Sequence, residues 1–456
     1  MEESKQQLYN ERLGRYLAAI RRKPIDRIST SIPVGSYADA ISGYTVQELM
    51  YDPQKAEDRA VQFLKKYPEV DTFSAGFSST VDFDILNSRL YRIPGRDIDP
   101  KSIRQFNENE WMKADEYRKF IDDPIGFRMD VYFPRILGEY EKRGSIRSYM
   151  AFLKAGMQQG VARELSRQIN TRIKNEFAIP PSSQGIVNAP FDTLTNLFRG
   201  LHGIMRDMFR QPDAVIEACE AILKQNLVSC VGMADPKKQL PVWIGATRAG
   251  FLSPKQFEKF YWPTFFKGLI VLIEAGWTVR VFLEGNWNAH LDYMAEFPKG
   301  TVLFDLDNET DIFAAHEKFG DKNVISGGIP TDLLILGSPE EVRQRVKLLI
   351  ETVGKDGGWI PNSGGSIPAG CKPENFQAIL DAVKEFGVYH TGPAPEPEVS
   401  DMLDVKPQLP KLDRFITSWE EAKETNNWAI PGDEDLIKKN WELFERMAYS
   451  WVISRR

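Results

Sequence analysis

The most constraining feature of this sequence is a repeated alternation of apolar, strand-like stretches and amphipathic helices in its second half. Polar or glycine-rich residues follow each predicted strand, and the strands lie at Thr278–Glu284, Thr301–Leu306, Asn323–Gly327 and Gly358–Pro361. Strands that alternate with helices of this length are typical of a parallel sheet built from βαβ units. Because the chemistry of such sheets takes place at the carboxyl ends of the strands, those short loops are the first candidates for a site.

Four more strands are predicted upstream, at Ile28–Val34, Val70–Ala75, Gln184–Ala189 and Leu240–Ala246, and they bring the total to eight. Eight parallel strands with intervening helices are the count of a closed (β/α)8 TIM barrel, an α/β fold. More than a hundred residues separate the second strand from the third, which is too long for one ordinary connection. We therefore expect a long insertion at 76–183, which covers the barrel mouth, forms a subunit contact or is purely structural.

The pattern changes near residue 390, so the predicted division is a barrel at 1–390 and a C-terminal extension at 391–456. The extension begins with a proline-rich linker and continues into helices predicted at Trp419–Thr425 and Asp433–Ser450. The second helix carries a stripe of four large side chains, Trp441, Phe444, Met447 and Trp451. This stripe needs a partner surface on its own barrel or on another subunit, and we expect a homodimer.

Charge and hydropathy exclude several classes of partner. The 456 residues carry a net charge of −6 with a pI of about 5.6, and acidic and basic residues are interspersed, so neither nucleic acid nor an anionic membrane surface is expected as a partner. No apolar run approaches the roughly 20 residues that cross a bilayer, and the first residues lack a signal peptide's apolar centre. A cytoplasmic location is the expectation. The three cysteines form no C-x-x-C pair, which argues against a thiolate metal cluster or a disulfide framework.

Two acidic side chains are predicted to meet at the barrel mouth. The outer face of a barrel strand contacts apolar helices, so the mixed-polarity positions should face inward. This rule places Arg280, Phe282 and Glu284 inside the barrel on one strand, and Asp305 and Asp307 inside on the next. Paired carboxylates can bind a metal through oxygen or divide proton donation and acceptance between them. The alternative is structural: Glu284 pairs with Arg280, and the aspartates cap the next helix.

Other candidates surround this pair. His290 follows Glu284 closely and could act as a metal ligand or base, although it could equally be an ordinary helix histidine. Arg248 has inward parity after the fourth strand and could bind an anionic substrate group. The glycine-rich turns at the seventh and eighth strands permit close approach of a cofactor to the backbone, or are simply turns. Their residues are Gly327, Gly328, Ser363 and Gly364.

Several motifs resemble the uroporphyrinogen decarboxylase superfamily, and within it the corrinoid-dependent methyltransferase branch. They are Pro190-Phe191-Asp192, Ser253-Pro254-Lys255-Gln256-Phe257, Tyr261-Trp262-Pro263, Phe282-Leu283-Glu284-Gly285-Asn286-Trp287 and Lys372-Pro373-Glu374-Asn375. The resemblance implies a (β/α)8 barrel, and methyl transfer to or from a corrinoid (cobalamin) carried on a separate protein. It also implies a divalent metal such as zinc. However, the family's His-x-Cys zinc signature reads Phe282-Leu283-Glu284 here, so any metal would take Glu284 and Asp305 as oxygen ligands, with His290 as a third.

Three functions remain open on this basis. The first is a methyltransferase that moves a methyl group between a small methoxylated, N-methylated or halogenated compound and a corrinoid protein, with Glu284 and Asp305 polarising the leaving heteroatom. The second is a decarboxylase or carbon–carbon lyase that holds a carboxylated substrate through Arg248. The third is a binding subunit without catalytic activity. The arginine-bearing segment that grips porphyrinogen carboxylates in the decarboxylases reads Val34-Gly35-Ser36-Tyr37-Ala38-Asp39 here, which disfavours such a substrate.

Overall fold

A six-stranded parallel sheet organises the chain, in a computed structural model that describes residues 3–409 and 417–454. Its six strands follow one another in chain order, and a separate antiparallel pair of strands lies in the insertion. The strands are β1 (Tyr91–Arg92), β2 (Gln105–Phe106), β3 (Ile186–Asn188), β4 (Val242–Ala246), β5 (Val279–Leu283), β6 (Val302–Leu306), β7 (Val324–Ser326) and β8 (Trp359–Ile360). β6 is buried at every position, as expected for a sheet covered by helices.

Helices surround this sheet, and side-chain caps satisfy the first backbone amides of some of them. Ser338 and Glu341, for example, form a reciprocal capping box at the start of one of them. The α-helices are α1 (Glu3–Ile20), α2 (Gly35–Ile41), α3 (Val46–Tyr51), α4 (Pro53–Lys66), α5 (Val81–Leu86), α6 (Tyr117–Asp122), α7 (Pro124–Phe127), α8 (Phe133–Ile136), α9 (Ile146–Phe177), α10 (Pro190–Thr193), α11 (Gly200–Arg210), α12 (Pro212–Met233), α13 (Pro254–Gln256), α14 (Trp262–Glu274), α15 (Leu291–Met294), α16 (Ile312–Phe319), α17 (Thr331–Leu336), α18 (Pro339–Thr352), α19 (Pro373–Phe386), α20 (Trp419–Asn426) and α21 (Glu434–Ser454). Short π-helical and 3-10 turns join some of them, at Arg128–Tyr132, Gly138–Tyr140, Leu194–Arg199, Ala249–Phe251, Phe257–Tyr261 and Asn288–His290.

The last six predicted strands are confirmed as β3 to β8, but the first two predictions are wrong. Ile28–Val34 and Val70–Ala75 are mostly buried, yet they form no strand ladder, and within the described residues the ring of strands is not closed by hydrogen bonds. One backbone hydrogen bond joins the two segments, from the Asp71 amide to the Thr30 carbonyl at 3.4 Å, but the Thr30 amide donates to the Asp71 carboxylate at 2.8 Å instead of to a strand. Pro33 has no amide hydrogen to donate to a ladder. The fold is therefore an α/β, TIM-barrel-like architecture with one irregular side.

The C-terminal extension packs against the insertion of its own chain. The Trp451 ring meets the Phe152 ring of α9 edge-on at a centroid distance of 3.9 Å, and Tyr449 and Ile453 are also buried. Other apolar residues of α21 remain open to solvent, as shown by Phe444, which is 63% exposed. The chain itself thus provides part of the expected partner surface. The division at residue 390 and the homodimer stay predictions. None of the helices in the described part of the chain is both long and apolar enough to cross a membrane.

Candidate active site

Four charged side chains follow four neighbouring strands at one edge of the sheet. Asp192 comes after β3, Arg248 after β4, Glu284 after β5 and Asp307 after β6. The ladder continues into this edge, because the Glu284 amide donates to the Ala246 carbonyl at 3.0 Å and the Asp307 amide to the Leu283 carbonyl at 3.2 Å. The carboxyl ends of the strands thus gather three acids and one arginine at the barrel mouth, where barrel enzymes carry their active sites.

Asp192 is the most deeply buried acid of this group. Its carboxylate accepts hydrogen bonds from the Thr247 amide at 2.5 Å, the Arg248 amide at 3.2 Å and the Tyr261 hydroxyl at 3.3 Å. Burial nevertheless raises the pKa of Asp192 to about 7, because desolvation of the charged form outweighs these bonds. Asp192 therefore changes its charge near neutral pH while it fixes the turn that carries Arg248.

Asp192→Asn is expected to change how stability depends on pH. The Asp192 carboxyl of the wild type binds its proton more tightly in the folded than in the unfolded protein. Its contribution to the free energy of unfolding is therefore full below about pH 4 and is lost as pH rises towards 7. The free energy of unfolding should fall by about 1 kcal/mol per pH unit more in the wild type than in the variant across this window. Urea unfolding at pH 5 and pH 7.5 measures the difference. The exposed Asp332→Asn serves as the matched control, and equal pH dependence of wild type and Asp192→Asn would contradict the assignment.

Glu284 lies open at the mouth and is the acid best placed to meet a substrate. The Trp287 indole donates to the Glu284 carbonyl at 3.0 Å and so fixes the turn that follows β5. Partial desolvation raises the pKa of Glu284, the negative charge of Asp307 raises it further, and Arg248 opposes both. A carboxyl with a raised pKa at a solvent-accessible position is suited to donating a proton.

The structure does not bring Asp305 to Glu284. Asp305 is buried, and its two oxygens accept from Arg280 Nε at 2.6 Å and Nη2 at 2.9 Å, with Asn362 Nδ2 at 3.3 Å. The alternative pairing of Glu284 with Arg280 is therefore also wrong. The acid beside Glu284 is Asp307, which accepts from the Gly285 amide at 2.8 Å instead of capping the next helix, a role that Asp311 fills.

His290 is buried among aromatic rings. Its imidazole stacks on Phe257 at a centroid distance of 4.0 Å, and burial lowers its pKa. In residues 3–409 and 417–454, no group of three or more His, Cys, Asp or Glu side chains is arranged to hold a metal ion. Asp305 is already engaged by Arg280, so the trio of Glu284, Asp305 and His290 is not assembled, and the residues present do not fit a resident metal.

The glycine-rich turns are shaped by packing within the protein. Gly328 and Gly364 have φ values of +84° and +53°, and a Cβ at Gly328 would lie 2.6 Å from Ile312. A Cβ at Gly327 would likewise meet the backbone of β6, and the buried Ser363 hydroxyl lies 3.1 Å from the Thr331 hydroxyl. These four residues do not show a cradle for a cofactor, and their binding role stays a prediction. At Gly285, by contrast, a Cβ would meet nothing within 4 Å, so the mouth is open beside Glu284.

Asp192 and Tyr261 lie in motifs that carry the family resemblance, but no role was predicted for either from the sequence. The available signal was local: Asp192 lies four residues after the end of a short strand and just after Pro190, which starts a helix. Its carboxylate accepts a hydrogen bond from Tyr261, which is 69 residues away in the chain. Sequence spacing alone gives no indication of that contact.

Comparisons with known proteins agree with this architecture. Residues 164–386 match the sequence model of the uroporphyrinogen decarboxylase (URO-D) family. The uroporphyrinogen decarboxylase of Psychromonas ingrahamii is 29% identical over 153 residues, which cover 33% of this chain and 42% of that protein. The enzyme of the same name from Cellvibrio japonicus is 28% identical over 45% of this chain and 60% of its own length, so the chain spans about half the length of these relatives. That from Anaeromyxobacter dehalogenans is 24% identical over 82% of this chain and 99% of its own.

A solved structure shares the fold across most of the chain. A methyltransferase from Methanosarcina mazei superimposes with a TM-score of 0.55 at 15% identity, over 82% of this chain and 98% of that protein. Residues 164–386, just under half of the chain, therefore carry a domain of the uroporphyrinogen decarboxylase (URO-D) family.

Proposed function

We propose that this protein is a methyltransferase that moves a methyl group between a small methylated compound and a corrinoid carried on a partner protein, with Glu284 as general acid. The observation that carries the proposal is a carboxyl of raised pKa at an open barrel mouth. The fold shared with the Methanosarcina mazei methyltransferase supports the reaction class. The predicted roles of Asp305 in catalysis and of a metal are not needed in this mechanism.

The corrinoid acts as the co-substrate that supplies the nucleophile for the methyl carbon. As the bond between methyl carbon and heteroatom breaks, its electron pair stays on the heteroatom, and Glu284 donates a proton there. Asp307 keeps that proton on Glu284 by raising its pKa, while Arg248 limits the rise. Asp192 acts as a positioning residue, because it holds the amides of Thr247 and Arg248.

Decarboxylation is the alternative, and the names of the relatives favour it. The charges at the mouth argue against a porphyrinogen, which carries several carboxylates. Arg248 is the one cation among the four charged side chains described at the strand ends, beside Asp192, Glu284 and Asp307. A single cation would leave most carboxylates of a polyanion unpaired in a partly desolvated site, so this edge would disfavour it.

The partners remain proposals: a corrinoid protein, a small methyl donor and a second copy of the chain. A homodimer would cover an apolar stripe on the first half of α9, where each large side chain is about half exposed or more. Its members are Ile146, Tyr149, Met150, Leu153, Met157 and Val161. Monomeric proteins rarely expose large contiguous apolar patches.

The function is tested with purified protein, reduced cobalamin and panels of methoxylated, N-methylated and halogenated donors. Conversion of the corrinoid spectrum to that of the methylated form supports methyl transfer. Release of carbon dioxide from a carboxylated substrate without a spectral change would indicate the lyase. Binding of either compound without turnover would indicate a binding subunit.

The rate of methyl transfer should depend on the protonation of Glu284. Because the acid form is required, kcat/KM should be high at low pH and should decline as pH rises through the raised pKa. Asp307→Asn removes the neighbouring negative charge, so it should move this decline to lower pH. A decline at the same pH in both proteins would show that another group controls the rate.

A further inference from the structure

Arg248 has hydrogen-bonding capacity that the protein does not use. Its Nε donates to Asn196 Oδ1 at 2.6 Å, which fixes the plane of the guanidinium, and the side chain is 22% exposed. Among the residues that the structure describes, no hydrogen-bond acceptor lies at either Nη atom of Arg248. Two Nη atoms on a fixed guanidinium are the donors that recognise a carboxylate in a two-point contact.

A carboxylate from the insertion already lies opposite these donors. Glu108 Oε2 is 3.8 Å from Arg248 Nη2, which is an ion-pair distance but too long for a hydrogen bond. The other oxygen of Glu108 accepts from the Leu201 amide at 2.7 Å at the start of α11, so this side chain is held in place. Glu108 thus presents negative charge to Arg248 without satisfying its donors.

An apolar surface adjoins the guanidinium. The Phe251 ring lies 5.8 Å from the Arg248 guanidinium carbon, and Phe251 is 54% exposed at the mouth. Glu284 follows the adjacent strand β5, and its charge interacts with that of Arg248. A molecule with a carboxylate on Arg248 and an apolar body along Phe251 would therefore extend across the strand ends on which Glu284 lies.

We infer that Arg248 binds the carboxylate of a small methyl donor with an apolar body, and that Glu108 competes for Arg248 when the donor is absent. This inference rests on the proposed function for the reaction, but the binding site stands on geometry alone. It narrows the donor to a methylated carboxylic acid. The substrate carboxylate would complete the two-point contact that Glu108 leaves unmade.

The test is calorimetric binding of 4-methoxybenzoate, with neutral methoxybenzene as the uncharged probe, and no corrinoid present. Arg248→Gln should weaken binding of the benzoate at least tenfold, whereas Glu108→Gln should strengthen it severalfold. The glutamine retains an oxygen for the Leu201 amide, so α11 should keep its start. Arg206→Gln is the matched control. Arg206 is an exposed arginine on α11, and it pairs with Glu110 of the insertion.

Unchanged affinity for the benzoate in Arg248→Gln, or weaker binding in Glu108→Gln, would overturn the inference. An equal loss of affinity in Arg248→Gln and Arg206→Gln, or no binding to either wild type or Glu108→Gln, would overturn it too. Thermal unfolding of each variant identifies a folding defect. Arg248→Lys keeps the charge but loses the planar guanidinium, so its affinity for the benzoate should lie between those of wild type and Arg248→Gln. Methylation of the corrinoid by donors without a carboxylate is measured separately. Failure of the binding test alone would leave the methyltransferase proposal intact.

Discussion

Replacement of Glu284 by glutamine is expected to lower the rate of corrinoid methylation from a methoxylated donor by roughly 10²- to 10⁴-fold. Glutamine keeps the size and polarity of the side chain but cannot give up a proton to the departing oxygen. The side chain is exposed, and the turn around it is held by backbone and Trp287 contacts, so the fold should be unaffected. Single-turnover absorbance of the corrinoid measures the rate directly.

Glu309→Gln provides the matched control for this variant. Glu309 is an exposed acid on the neighbouring loop, and its backbone carbonyl accepts from Asn288 Nδ2. The control should retain the wild-type rate, because Glu309 lies outside the cluster at the strand ends. Full activity in Glu284→Gln would remove Glu284 from the mechanism.

Replacement of Arg280 by alanine is expected to destabilise the protein by about 3–5 kcal/mol. The Asp305 carboxylate would remain buried, 2% exposed, without the guanidinium that now binds both of its oxygens. The cost of an unpaired buried charge, more than the loss of the bond itself, accounts for the size of the effect. Urea denaturation of the purified variant gives the free energy of unfolding.

The double variant Arg280→Met with Asp305→Leu separates the pair's structural and catalytic roles. It removes both charges and fills similar volume, so most of the lost stability should return. Retained methylation by this folded double variant would show that Asp305 is not a catalytic residue. Wild-type stability in Arg280→Ala would contradict the buried ion pair.

The rule that mixed-polarity positions face inward placed Arg280 and Asp305 correctly, but the predicted pairing of each with Glu284 was wrong. Arg280 and Asp305 do lie inside the barrel, on β5 and β6. Alternation along a strand defines a face, but the pairing depends on side-chain reach across the register in which Phe282 lies opposite Asp305. The sequence of one strand contains no information about that reach.

The first two strands could not be separated from irregular buried segments by composition. Ile28–Val34 has the apolar, β-branched character of a strand, and it is buried as a strand would be. Its Thr30 amide donates to the carboxylate of Asp71, 41 residues further along the chain, which also pairs with Arg27, and the sequence of the segment does not reveal these contacts. The burial of Asp192 depends in the same way on contacts that are distant in sequence, so its raised pKa could not be predicted.

The most direct test of the account compares wild type and Glu284→Gln with two methyl donors that differ in the leaving group. A methoxylated donor needs a proton on its departing oxygen, whereas a chlorinated donor releases chloride without one. The account predicts that Glu284→Gln loses the protein-dependent rate of corrinoid methylation with the methoxylated donor and keeps it with the chlorinated donor. Equal losses with both donors, or no loss with either, would contradict proton donation by Glu284.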